Sequence, residues 1–85
     1  MEIKIDIPDY DPSKGFKFKW ENNFTIEVKI DKEKVTIRAN KDGLRSLANH
    51  LLNLSQDHFS SGYHFHLDEF NSLEEGSKEL IIEKM

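Results

Sequence analysis

An α+β protein, with one amphipathic helix packed on one face of an antiparallel sheet, is what three features of this sequence predict. Apolar and polar residues alternate with a period of two through residues 1–39. The period changes to that of a helix after Asn40, and alternation returns after Gly62. A strand shows its side chains alternately on two faces, whereas a helix repeats every 3.6 residues, so the change of period marks a change of element.

The elements follow in order. Ile3, Ile5 and Ile7 share a face opposite Glu2, Lys4 and Asp6, the pattern of a half-buried strand. Pro8 and Pro12 mark a loop. Phe16, Phe18 and Trp20 alternate with Lys17 and Lys19, predicting a second strand whose aromatics enter the core. Glu21-Asn22-Asn23 is a turn. Phe24, Ile26, Val28 and Ile30 then alternate with Thr25, Glu27 and Lys29. After the polar turn Asp31–Lys34 come Val35, Ile37 and Ala39, with Thr36 and Arg38 between them. This is a meander of antiparallel strands. Leu44, Leu47, Ala48, Leu51, Leu52 and Ser55 form a helical stripe, expected to face the sheet, with Arg45, Asn49, Asn53 and Gln56 opposite. Asn40 or Asp42 serves as N-cap. Tyr63, Phe65 and Leu67 alternate with His64, His66 and Asp68 in a further strand. A polar loop, Glu69–Gly76, precedes a last strand from about Ser77 to Glu83. The expected order is β-β-β-β-α-β-β, a sheet of about five to six strands in one domain, 1–85.

Composition narrows the function. A chain of 85 residues buries a thin core, with little room for a deep pocket. It has no cysteine, which removes disulfides, zinc–thiolate sites and cysteine nucleophiles and favours a reducing compartment. The N-terminus lacks the basic and apolar regions of a signal peptide, and no apolar run is long enough to span a bilayer. A cytoplasmic protein is expected. The sequons Asn23-Phe24-Thr25 and Asn53-Leu54-Ser55 are read as chance. Net charge is −4, all of it from residues 41–85, where eight acidic side chains face four basic ones. That balance disfavours nucleic acid, whose binding depends on Lys and Arg, and suits a basic protein partner.

Few side chains suggest chemistry. His64, His66 and Asp68 project from one strand face, a donor set that suits zinc or iron. The same pattern is also the solvated face of an amphipathic strand, and no further ligand completes the set. In FKFKW, the period of two separates aromatics from lysines, so stacking on nucleic-acid bases is not expected. No nucleophile elbow, Gly-rich phosphate loop or pKa-shifting pair of carboxylates is present, and nothing calls for a cofactor. The acidic segment Asp68–Glu75 holds Phe70 and Leu73, which either anchor a partner or fold back onto the core. His58, at the helix end, complements the negative end of the helix dipole.

The helix Gly43–Gln56, the segment HFHLDEF (His64–Phe70) and the ending LEEGSKELIIEKM (Leu73–Met85) resemble the immunity proteins of bacterial polymorphic toxin systems, specifically immunity protein family thirty-two. The resemblance is carried by His64, His66, Leu67 and Asp68, by Gly76-Ser77 and by Glu79-Leu80-Ile81-Ile82; the N-terminal meander adds only general β patterning. It implies a non-enzymatic cytoplasmic protein that binds and blocks a cognate toxin. His64, His66, Asp68, Glu69, Glu74 and Glu75 are then the contact candidates. A small metal-binding domain using His64, His66 and Asp68, and a structural or oligomerising domain, stand as alternatives. A homodimer is open to the chain because one helix leaves a sheet face uncovered.

Overall fold

The computed structural model describes residues 1–85. Alternation in the middle of the chain produces the first hairpin, β1 (Ile26–Asp31) and β2 (Lys34–Ala39), paired from Ile26↔Ala39 to Asp31↔Lys34. Lys32 in the turn adopts a positive φ of 57°. The helix α1 (Lys41–Leu54) starts at Asn40, whose Oδ1 accepts from the Gly43 N–H at 2.7 Å. The same side chain accepts from the Thr25 N–H and donates to the Asn23 carbonyl, fastening the helix start to the approach of β1. Gly43 allows this close packing. A Cβ there would meet the Thr25 carbonyl oxygen, and would sit 2.9 Å from Ile26 Cγ1.

The second hairpin is β3 (His64–Leu67) with β4 (Leu80–Glu83), antiparallel from His64↔Glu83 to Leu67↔Leu80. The chain entering β4 runs along the free edge of β1. Glu74 N–H donates to the Ile26 carbonyl, Lys78 N–H donates to the Val28 carbonyl, and Val28 N–H donates to Ser77 Oγ. These bonds tie the two hairpins together. Ile26, Val28, Leu54, Phe59, Phe65, Leu67 and Leu73 form the buried core, with Phe16, Trp20, Phe24, Leu47, Tyr63 and Ile82 packed around it.

Two expected strands, at Ile3–Ile7 and Phe16–Trp20, do not form. The structure has four strands in two two-stranded sheets, not one sheet of five to six. The N-terminal backbone finds its partners on the helix instead. Asn49 Nδ2 donates to the Asp6 carbonyl at 2.9 Å, Asn53 Nδ2 donates to the Lys17 carbonyl at 3.0 Å, and Ser46 Oγ accepts from the Glu21 N–H at 2.9 Å. The aromatics of this segment stack among themselves: Phe18 on Trp20, Trp20 on Phe24, and Phe16 against Phe59 and Phe65.

The consequence is a helix turned the other way from the expected one. Ser46, Asn49, His50 and Asn53 are buried, while Leu44, Leu51 and Leu52 are 56%, 48% and 50% exposed. Of the expected stripe, Leu47 alone packs against the core cluster as a leucine. His58 does not cap the helix either; it lies beyond Leu54, stacked on Tyr10. Lys84 fills that role, its Nζ donating to the Gln56 carbonyl at 2.6 Å.

His50 is fully buried, with Phe18, Trp20 and Phe65 edge-on around it. Neither ring nitrogen makes a full hydrogen bond. Burial pushes its pKa from 6.5 down to about 4, and the nearby Lys19 backbone offsets this only in part.

Two outcomes follow for urea denaturation. Asn53→Ala leaves the half-buried Lys17 carbonyl without its Asn53 partner and should cost about 1–2 kcal/mol, whereas Leu52→Ala, on the open face, should change stability by no more than about 1 kcal/mol. Because the folded pKa of His50 lies below the unfolded one, its neutral form stabilises the fold fully above pH 6.5. That contribution, roughly 3 kcal/mol, is lost as pH falls from 6.5 towards 4. His50→Leu should flatten the pH dependence in this window.

Candidate partner-binding face

β3 alternates as its sequence dictates: Phe65 and Leu67 point into the core, His64 and His66 point out. The two imidazole rings lie 4.9 Å apart. His64 Nδ1 is 2.9 Å from the Gly62 carbonyl, which fixes that nitrogen as a donor, and 3.9 Å from Glu83 Oε1. His66 Nδ1 is 3.5 Å from Glu79 Oε2. The glutamates arrive through strand register, since His64 is paired with Glu83 and His66 with Ile81. Glu79, Ile81 and Glu83 therefore join the two histidines in one exposed row. These His–Glu contacts are half-exposed and contribute little to stability, which leaves the side chains free to pair with another surface.

Asp68 has a different task from the one a ligand set assigns it. Its Oδ1 accepts from the Phe70 N–H at 2.9 Å, and its carbonyl accepts from the Ser72 and Leu73 N–H groups. Asn71 answers, its Oδ1 accepting from the Asp68 N–H and its Nδ2 donating to the His66 carbonyl. This side-chain-organised turn explains how the acidic loop is shaped. Leu73 folds back into the core, while Phe70 stands 90% exposed. Glu69 Oε2 accepts from the Gly76 N–H at 2.7 Å, closing the loop on itself. Glu74 and Glu75 point to solvent beyond it. His64, His66, Glu69, Glu74 and Glu75 are thus all exposed, on β3 and on the loop that follows it, with Asp68 as their hinge.

No three His, Cys, Asp or Glu side chains gather closely enough to hold a metal ion. The donor set His64, His66 and Asp68 does not converge, because the Asp68 carboxylate is turned to its own loop. Beside His66 lies a feature that sequence reasoning missed, an open cleft of about 230 Å³ lined by Phe18, Trp20, His66, Leu67 and Asn71. Phe18, expected in the core, is partly exposed here. Glu79, Ile81 and Glu83 were also missed, although pairing the last strand antiparallel to HFHL puts all three on the histidine face. From residue 57 to the end, seven acidic side chains face two basic ones, so this part of the molecule is strongly negative.

Asp68→Ala should destabilise the protein by about 1–2 kcal/mol and speed amide exchange at Phe70, whose N–H the carboxylate accepts. Glu75→Ala, at an exposed carboxylate with no such bonds, should leave both unchanged.

No helix is long and apolar enough to cross a membrane. A family model described as Immunity protein 32 matches residues 34–85, from β2 to the last residue. No curated protein and no solved structure matches the chain.

Proposed function

This chain belongs to the Immunity protein 32 family, and on that premise we propose that it is a non-enzymatic, cytoplasmic protein that binds a cognate bacterial toxin and blocks it. The contact surface is the exposed face of β3 and β4 with the loop that follows β3. His64, His66, Glu69, Glu74 and Glu75 make contacts, and Asp68 holds the loop that presents the last three. The observation that carries this placement is the concentration of unburied acid there, within the range matched by the family.

The physical case is electrostatic and steric. A negative face steers a positively charged partner and raises its association rate, while apolar side chains inside the face supply affinity. Phe70 and Ile81 are exposed apolar groups among the carboxylates. A basic toxin domain fits such a surface, and a basic active site is blocked when it is occupied. A specific interface buries about 800 Å² on each partner, a substantial part of the 6411 Å² that this protein exposes. The metal-binding alternative loses its support, since its three side chains do not meet.

The test is capture of the toxin from the native host with tagged protein, followed by binding kinetics on the purified pair. Glu74→Lys combined with Glu75→Lys should slow association about tenfold and reduce its salt dependence, with a smaller effect on dissociation. The same variant should protect a toxin-expressing strain poorly. A captured toxin whose association is indifferent to these charges would place the contact surface elsewhere.

A further inference from the structure

The aromatics of FKFKW do not all go to the core. Phe18 is 38% exposed, and with Trp20 it forms one wall of the open cleft of about 230 Å³ beside His66. The two rings lie nearly parallel, with 13° between their planes and 5.6 Å between their centroids. Rings this far apart are offset rather than overlapped, so part of a ring face stays uncovered. His66, Leu67 and Asn71 complete the lining. His66 Nδ1 lies 3.5 Å from Glu79 Oε2. That carboxylate favours the proton on Nδ1, which leaves Nε2 as an acceptor. No Lys or Arg lines the cleft. Lys19, between the two aromatics in sequence, pairs with Asp6 instead, at 3.9 Å.

We propose that this cleft receives an arginine side chain of the toxin, its guanidinium laid on the Phe18–Trp20 wall and its N–H groups directed to His66 Nε2 and the Glu79 carboxylate. The inference rests on the reading of the β3–β4 face as the toxin contact, and it names the side chain which that face takes. Charge, shape and size choose the occupant. Aromatic faces attract a cation, and Glu79 and the strongly acidic chain from residue 57 onward add to that field. A phosphate-bearing base meets the same field with the wrong sign. A guanidinium is planar, weakly hydrated and donates in a fork, so it stacks on a ring and hydrogen-bonds at its rim together, whereas an ammonium is a compact and strongly hydrated point charge. The cleft, at about 230 Å³, is smaller than the roughly 300–1,000 Å³ usual for small-molecule sites, and it suits one long side chain. The acidic row and the cleft then divide the work on one basic partner: the row speeds its arrival and the cleft slows its departure.

Titration of the nitrogen-15-labelled full chain with N-acetylarginine amide tests the cleft without the toxin. Trp20 is the only tryptophan, so its indole N–H is a unique reporter. The arginine probe should shift that signal and the Asn71 side-chain amide along one saturable curve, with a dissociation constant on the order of 10 mM. N-acetyllysine amide and N-acetylnorleucine amide should bind at least about fivefold more weakly. Phe18→Leu, which keeps an apolar side chain and removes the ring, should abolish the arginine shifts with an unchanged circular dichroism spectrum. Against the captured toxin it should raise the dissociation rate about tenfold and leave association nearly unchanged. If Phe18→Leu loses the fold, His66→Lys carries the test, because it sets a fixed cation at the cleft from an exposed position and should abolish the same shifts.

Lysine or norleucine probes that bind as tightly as the arginine probe overturn the proposal. So does the lack of any saturable shift up to about 100 mM. The two readings separate on the purified pair. If Glu74→Lys with Glu75→Lys slows association while Phe18→Leu leaves dissociation unchanged, the acidic contact stands and the arginine cleft falls. If Phe18→Leu speeds dissociation while the charge reversal has no effect, the cleft stands and the acidic loop is not the contact.

Discussion

Three side chains on one face of α1 decide how the rest of this protein is arranged. Ser46, Asn49 and Asn53 hydrogen-bond to the backbone of Glu21, Asp6 and Lys17. A backbone group removed from water needs a partner, and these small polar side chains supply it where a neighbouring strand otherwise does. The N-terminal segment is thereby laid on the helix rather than added to the sheet. Its aromatics close over His50, and a neutral imidazole becomes part of the core. With that side of the helix occupied by polar clamps, the leucines on the far side have no place within the chain.

The proposed partner-binding face depends on the same arrangement at one remove. Phe16 and Phe18 pack on Phe65, which seats β3 from below and leaves His64 and His66 above. Along the other edge, Glu74 and Lys78 hydrogen-bond to β1, which sets where β4 begins and brings Glu79 and Glu83 beside the histidines. One wall of the cleft next to His66 comes from Phe18 and Trp20, residues outside the range matched by the family. The acidic row thus lies within the matched range and this cleft wall outside it.

Much of this was legible in the sequence. The period of two located β1, β2 and β3, the change of period located α1, and Asn40 was one of the two residues, with Asp42, recognisable as its cap. Phe65 and Leu67 were legible as the core side of β3, but that His64 and His66 face solvent came only with the structure. What sequence could not supply was the choice between two ways of satisfying a backbone. Ile3, Ile5 and Ile7, and then Phe16, Phe18 and Trp20, alternate as strands do, but alternation reports only that one side of an extended chain is buried. It does not say whether the hydrogen bonds go to another strand or to asparagines. The leucine stripe misled for a related reason. Amphipathicity assumes that the apolar side faces inward, and here Ser46, Asn49, His50 and Asn53 gain more from burial because each meets a polar backbone or an aromatic cage.

The orientation of α1 is the claim on which the fold rests, and the absence of cysteine makes it directly measurable. Ser46→Cys introduces a single thiol in place of a side chain that is 1% exposed, and its rate of reaction with a thiol reagent reports burial at that position. The account predicts that this thiol is protected in the native protein by orders of magnitude relative to the urea-unfolded chain. A Ser46→Cys thiol that reacts at the unfolded rate while the protein remains folded would show that the polar stripe faces water and that the helix is turned the other way.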